Sequence, residues 1–138
     1  MKRNSKLSLA LHVLAHMVDE PGRVRTSAEI ASHCGTNPVV VRRVLGFLRE
    51  AGLLSSEKGH AGGWRLARSP DAITLADVYL ALGDRWIEPR ADAADDGTGP
   101  DCAVADALHS RVGAVLSDVE RVLVERLGAT SIAEIGAP

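Results

Sequence analysis

Aromatic residues are nearly absent: two Trp, one Tyr and one Phe in 138 residues. A core with so few rings must be built from Leu, Val, Ile and Ala, which favours packed helices. Only two cysteines occur, Cys34 and Cys102. That count excludes a disulfide scaffold and makes a reducing cytoplasm the expected compartment. The apolar stretch LSLALHVLAHMV after MKRNSK imitates a signal peptide. Two histidines interrupt it, Asp19-Glu20-Pro21 follows it, and no small-x-small cleavage site is evident, so it reads as a helix too short to cross a membrane. Paired carboxylates, a phosphate loop and a nucleophile–base pair are also missing, which argues against an enzyme. What remains, 46% apolar and 25% charged residues, is ordinary for one compact domain with an appendage.

The formal net charge of −2 is uninformative until it is mapped along the chain. Residues 1–68 carry eleven lysines and arginines against five acids, whereas residues 69–138 carry five against thirteen. A basic half and an acidic half suggest one module that binds a polyanion and one part kept away from it.

The basic half is organised around residues 26–68, TSAEIASHCGTNPVVVRRVLGFLREAGLLSSEKGHAGGWRLAR. Thr26 and Glu29 have capping-box spacing at the start of a short helix, with Ala28, Ile30 and Ala31 as its apolar contacts and Gly35 as its stop. Asn37 caps a second helix, over 37–51, with Pro38 at its first position, where a missing N–H costs nothing. Val41, Val44, Leu45 and Leu48 fall at i, i+3, i+4 and i+7 and make one buried face. Asn37, Val39, Val40, Arg42 and Arg43 are left on the outward N-terminal part. Adjacent arginines beside apolar residues suit a helix entering the DNA major groove. After Ala51-Gly52, two strands follow around a glycine-rich tip at 57–63, from which Lys58 and His60 can reach a minor groove or a phosphate. Helix, turn, helix and wing together predict a winged helix-turn-helix.

Around this unit, residues 5–19 predict a helix with Ser5 as cap and a stripe of Leu7, Ala10, Leu11, Val13, Leu14 and Met17. Lys2, Arg3 and Lys6 are candidate phosphate contacts. His12 and His16 stand at i, i+4, a zinc-compatible spacing, but no third ligand is placed around them in the sequence; they read as polar residues of a helix face, and no metal is expected. Val24 is expected to begin a short strand. Past a turn at Ser69-Pro70-Asp71, Thr74 and Asp77 form a second capping box, with Leu75, Val78, Tyr79 and Leu82 as the apolar positions and Gly83 as the stop. The acidic run 87–101 reads as a loop. From about Asp101 to Leu127, Leu108, Val112, Val115, Val119 and Val122 step by four, three, four and three residues, a coiled-coil seam widened by Leu116, Leu123 and Leu127. Such a helix spans about 39 Å, more than a small domain covers alone, so a second subunit is expected on it. Ser131 to Ile135 predicts a last helical turn. The expected fold is mainly α with a small β-wing: a DNA-binding domain over 1–84, an acidic loop over 85–100, and a dimerisation helix with a C-terminal turn over 101–138.

The order of elements, with the run GHAGGWRLARSPDAITLADVYLALGD, resembles the bacterial regulator family that includes the iron–sulfur regulator IscR, the nitric-oxide sensor NsrR and the cysteine-metabolism repressor CymR. The likeness runs from the first helix to the final turn. Its most specific parts are the glycine-rich wing followed by an aromatic and Leu66-Ala67, and the Ile-Thr-Leu opening of the next helix. The resemblance implies a dimeric winged-helix repressor or activator. It places Asn37, Val39, Val40, Arg42 and Arg43 in the major groove and Lys58 in the minor groove. Cluster-binding members carry three cysteines around the start of the long helix, and some a histidine three residues after the last. Here only Cys102 occupies such a position, the histidine slot is Ala105, and His109 is two turns further on, so no iron–sulfur cluster is expected.

The sequence thus predicts a homodimeric regulator that reads a palindromic site in double-stranded DNA, with repression the commoner mode that the resemblance implies. A winged-helix module for a protein partner is the alternative from another class. A thiol switch at Cys102 is the alternative within the first. A helix start favours the thiolate there, while Asp101 and Asp106 oppose it. Cys34 reads as a small apolar residue of its helix.

Overall fold

The computed structural model describes residues 6–58, 63–83 and 103–136. The wing residues 59–62 with His60, the acidic run, Cys102, the expected phosphate contacts Lys2 and Arg3 and the expected cap Ser5 lie outside those residues. Helices α1 (Lys6–Val18), α2 (Ser27–Cys34) and α3 (Pro38–Glu50) are followed by strands β1 (Leu54–Glu57) and β2 (Gly63–Leu66). A 3-10 turn at Pro70–Ala72 leads to α4 (Leu75–Leu82), and α5 (Ala103–Gly128) and α6 (Ile132–Gly136) complete the described chain.

The helix boundaries follow from side-chain caps. Thr26 Oγ1 accepts from Glu29 N at 3.1 Å, satisfying one orphan donor of α2. The expected reciprocal half of that box is replaced: the Glu29 carboxylate pairs with Arg23 and Arg25, since two cations outcompete a neutral N–H. Gly35 ends α2 at φ +65°, a left-handed conformation that glycine adopts without steric cost. The Thr74–Asp77 box before α4 forms in both directions, at 3.1 and 2.9 Å, and Gly83 ends that helix at φ +70°.

The core is aliphatic. Ala10, Val13, Leu14 and Met17 of α1 meet Val41, Val44, Leu45 and Leu48 of α3, with Ile73, Val78 and Leu82 closing the other side. The stripe of α1 is narrower than its sequence suggests: Leu7 and Leu11 lie at its margin, only partly buried. Ala28, expected as a contact of α2, is exposed, leaving Ile30 and Ala31 buried. On α4, Ala76 is buried and Leu75 only partly so. Helix α6 returns to α1. Its Ile132 is fully buried, and its backbone is tied to the start of α4 through Ile132 N to Ile73 O and Leu75 N to Thr130 O, both 2.9 Å. The last described segment therefore joins the core built by the first eighty residues.

The wing is an antiparallel pair with Leu54 opposite Leu66 and Glu57 opposite Gly63. The strand expected at Val24 shrinks to one bridge, Arg25 with Trp64, held by two backbone hydrogen bonds of 2.8 and 2.9 Å. This close approach requires Gly63: a Cβ there would stand 2.3 Å from the Arg25 carbonyl oxygen. Among the described residues no helix is long and apolar enough to cross a membrane.

Candidate nucleic-acid interface

Helix α3 is buried on one face and open on the other, as its pattern demands. Val41, Val44, Leu45 and Leu48 are buried, while Val39 is 65% and Val40 39% exposed. Arg42 and Arg43 are exposed beside them and, among the described residues, form no hydrogen bond or ion pair. Asn37 is partly occupied by the helix it caps, where its Oδ1 accepts from Val40 N at 3.1 Å. Its exposed side chain keeps the amide NH₂ as a donor.

Other cations of the basic half are committed to the fold. Arg23 pairs with Glu20 at 3.1 Å and with Glu29; the hydrogen bond it donates to Glu20, then the charges of Glu29 and Glu20, hold its guanidinium pKa above the usual arginine value. Arg25, its side chain only 11% exposed, donates to the His16 carbonyl at 3.1 Å. Arg65 pairs with Glu57 at 3.4 Å. Arg49 donates to Ser56 Oγ at 3.1 Å and stands 5.5 Å over the Trp64 ring, joining α3 to the wing by a hydrogen bond and a cation–π contact. Trp64 Nε1 in turn donates to Ser27 Oγ at 2.9 Å, so α2, α3 and β2 form one unit. Lys58 is exposed at the end of β1. Arg42 and Arg43 thus stand among the cations that the fold leaves available.

The long helix has two faces. Toward the domain, Glu120 is 7% exposed and accepts from the Tyr79 hydroxyl of α4 at 3.5 Å. On another face Leu108, Val112, Val115, Val119 and Val122 are 44–62% exposed, and Val104, at 77%, extends their row by one turn. Val104 lies inside the helix expected from the sequence but outside its seam, because the step of four from Val104 to Leu108 is followed by another of four and breaks the four–three alternation. Leu116, Leu123 and Leu127 are only partly exposed, since their direction lies between the row and the domain. An open apolar groove of about 500 Å³ runs along Val119, Val122 and Leu123 between Asp118 and Arg126.

A third cluster joins residues that the sequence kept apart. His12 Nε2 and His16 Nε2 are 3.1 Å apart, and the His33 ring of α2 lies 5.8 Å from that of His16, centre to centre. Burial, then the neighbouring His12, His33 and Arg25, push the His16 pKa below its ordinary value, with Asp19 opposing. Cys34, beside His33, is half-buried, and burial pushes its thiol pKa up.

A buried-backed helix carrying uncommitted arginines, next to a two-strand wing, is the arrangement that places side chains in a DNA groove. A family model for Rrf2, described as iron-dependent transcriptional regulators, matches residues 3–138. The chain belongs to the Rrf2 family. Among Rrf2-type relatives it is 31% identical to Bacillus subtilis YwnA, an HTH-type transcriptional regulator by name, over 96% of this chain and 95% of YwnA. It is 25% identical to Rhodopseudomonas palustris BadM, named likewise, over 98% of this chain and 81% of BadM. The structure of B. subtilis CymR, the global cysteine regulator, superposes with a TM-score of 0.64 at 21% identity, covering 99% of this chain and 97% of CymR. T. potens IscR does so with 0.64 at 21%, covering 98% and 85%. At these identities the structural likeness establishes the fold. As an Rrf2 member the protein is a DNA-binding transcriptional regulator and not an enzyme.

Proposed function

We propose that the protein works as a homodimer that reads a palindromic operator, with α3 of each subunit in the major groove and the wing in the adjacent minor groove. The observation that carries this reading is the row on α5. Five apolar side chains at coiled-coil spacing, with Val104 one turn before them, stand at least 44% exposed on a 26-residue helix whose other face is already used by its own domain. A second copy of the same helix satisfies that row by two-fold symmetry. The same symmetry would set two recognition helices about 34 Å apart, one turn of B-DNA. Arg42 and Arg43 are the proposed base or phosphate contacts, Val39 and Val40 meet thymine methyl groups, Asn37 offers its NH₂, and Lys58 with His60 serves the wing. Repression is the simplest mode: a dimer seated on a promoter excludes polymerase by occupancy alone, whereas activation needs a further contact surface. A protein that acts on chromosomal DNA works in the cytoplasm of a bacterium.

No iron–sulfur cluster belongs to this mode of action. A cluster takes about four protein ligands, mostly thiolates, and the chain has two cysteines. Cys34 sits where burial disfavours its thiolate, and Ala105, in the histidine slot, only lends its carbonyl to His109 Nδ1 at 2.8 Å. Anaerobic reconstitution with iron and sulfide should leave the protein without a cluster chromophore; a stable visible absorption that follows the protein through gel filtration would reverse this part.

Fluorescence-anisotropy titration against duplexes from upstream of the protein's own gene, with salt varied, tests the main reading. Tight binding to one palindrome, weakening steeply with salt as counterions are released, is the expected result. Equal affinity for a random duplex would defeat the operator claim, and absence of binding at low salt would favour the protein-partner module.

A further inference from the structure

We propose that the cleft between α1 and the α2–α3 turn seats one backbone phosphate of the DNA strand that borders the recognition helix, with Thr36 and His12 as positioning contacts. The inference rests on the reading that α3 enters the major groove, but neither on the dimer nor on the palindrome.

The cleft measures about 360 Å³, and its walls include Ser8 and His12 of α1, Cys34 and Thr36 at the turn, and Val40 of α3. Helix α1 lies alongside α3 here: Lys6 Nζ, at its start, stands 5.4 Å from the centre of the Phe47 ring. Val40 belongs both to this wall and to the outward face of α3 that carries Val39, Arg42 and Arg43. A helix in the major groove has a sugar–phosphate strand along each side, and α1 is the element beside α3 at Val40, so the cleft lies where one strand passes. Thr36 is half-buried, and among the described residues its hydroxyl has no hydrogen-bond partner. A donor in that state gains most from an anion. The Thr36 backbone N–H donates to the Ala31 carbonyl at 3.0 Å, which fixes the residue that carries the hydroxyl. His12 engages His16 through Nε2 and keeps Nδ1 as a second polar atom. Charge favours the same ligand. Neither α1 nor residues 34–49 hold an Asp or Glu, while between them they carry Lys6, Arg42, Arg43 and Arg49. No carboxylate of either segment opposes an anion, and a cation there would meet no acidic partner. Hydroxyl and imidazole contacts to a phosphate fix register and orientation without reading bases.

The test replaces the phosphates of the tightest-binding duplex, one at a time, by uncharged methylphosphonate. Fluorescence anisotropy reads the affinity of the full-length parent, Thr36→Val and His12→Gln. At one flanking position the replacement should weaken the parent about tenfold. Thr36→Val should show no such loss there and keep the parent's sensitivity elsewhere. Each variant should bind operator and random duplex more weakly by one common factor, again about tenfold, with its melting temperature unchanged. Variants that bind as the parent does, or that stay sensitive to every methylphosphonate, would overturn the seat and leave the groove reading standing. Weakening confined to the operator would make Thr36 a base contact and overturn it as well. A parent that binds no duplex defeats the groove reading, and the seat with it. If inorganic phosphate raises the melting temperature of the parent but not of Thr36→Val, and no methylphosphonate is coupled to the variant, the cleft takes a free phosphate and the DNA source is overturned.

Discussion

Replacing Val115 by Asp isolates the subunit contact from the fold. Val115 is 62% exposed in the single chain, so a carboxylate there costs the monomer nothing and its helix content should not change. In a two-fold pair the same position is central in the row and faces its symmetry mate, so each dimer gains two carboxylates in an apolar seam. Burial of a carboxylate raises its pKa by up to 3–5 units, and each unit is about 1.36 kcal/mol. For a partly dehydrated helix seam, taking half the lower figure gives about 2 kcal/mol per subunit and about 4 kcal/mol per dimer. That corresponds to a loss of roughly a thousandfold in dimer affinity. Sedimentation velocity over a hundredfold concentration range reads it directly. The parent should run at twice 14.6 kDa and Val115→Asp at the monomer mass. Ser110→Asp is the control, exposed on the same helix but about 200° around it from Leu108, and should remain dimeric. A Val115→Asp protein that keeps the parent's mass and dissociation constant would refute the seam, as would a parent that is monomeric throughout.

Four further outcomes are expected. Arg42→Ala should cost about 1–3 kcal/mol on the best operator and flatten base preference at one position; uniform weakening on all duplexes would make Arg42 a phosphate contact. Gly63→Ala should break the Arg25–Trp64 bridge, whose two hydrogen bonds are together worth about 2 kcal/mol, and lower the melting temperature by several degrees. Gly22→Ala, with nothing within 4 Å of the new carbon, should not, and equal melting of the two variants would count against the wing geometry. Leu45→Ala, at a fully buried position, should destabilise by about 2–5 kcal/mol in chemical denaturation; a loss below about 1 kcal/mol would contradict its place in the core. In a Cys102→Ser background, Cys34 should alkylate with iodoacetamide more slowly in the folded protein than in urea, because its raised pKa leaves less thiolate at a given pH. Equal rates would contradict that environment.

Helices and caps are legible in the sequence because their causes are local. Asn37-Pro38, the Thr74–Asp77 pair and the stops at Gly35 and Gly83 each act within a few residues, and a 3.6-residue period identifies the face of α3 without knowledge of what covers it. The departures come from distant partners. Spacing alone makes Glu29 a cap of its own helix, but Arg23 and Arg25, placed by the preceding turn, draw its carboxylate away. Val24 has the character of a strand residue, but only Arg25 reaches Trp64, because the chain turns at once into α2 under the cap of Thr26.

The candidate sites divide along the same line. Arg42, Arg43 and the row on α5 lie on single helices, so their spacing alone selects them. What the sequence cannot supply is which cations are already consumed: Arg23, Arg25, Arg49 and Arg65 look equivalent to Arg42 until their partners appear. The histidine cluster shows the same limit. His12 and His16 have a helical interval between them, whereas His33 is seventeen residues further on, in a different helix. Only the packing of α2 beside α1 brings its ring to His16. The pairing of His12 with His16 is therefore a property of the sequence, and the approach of His33 is a property of the fold.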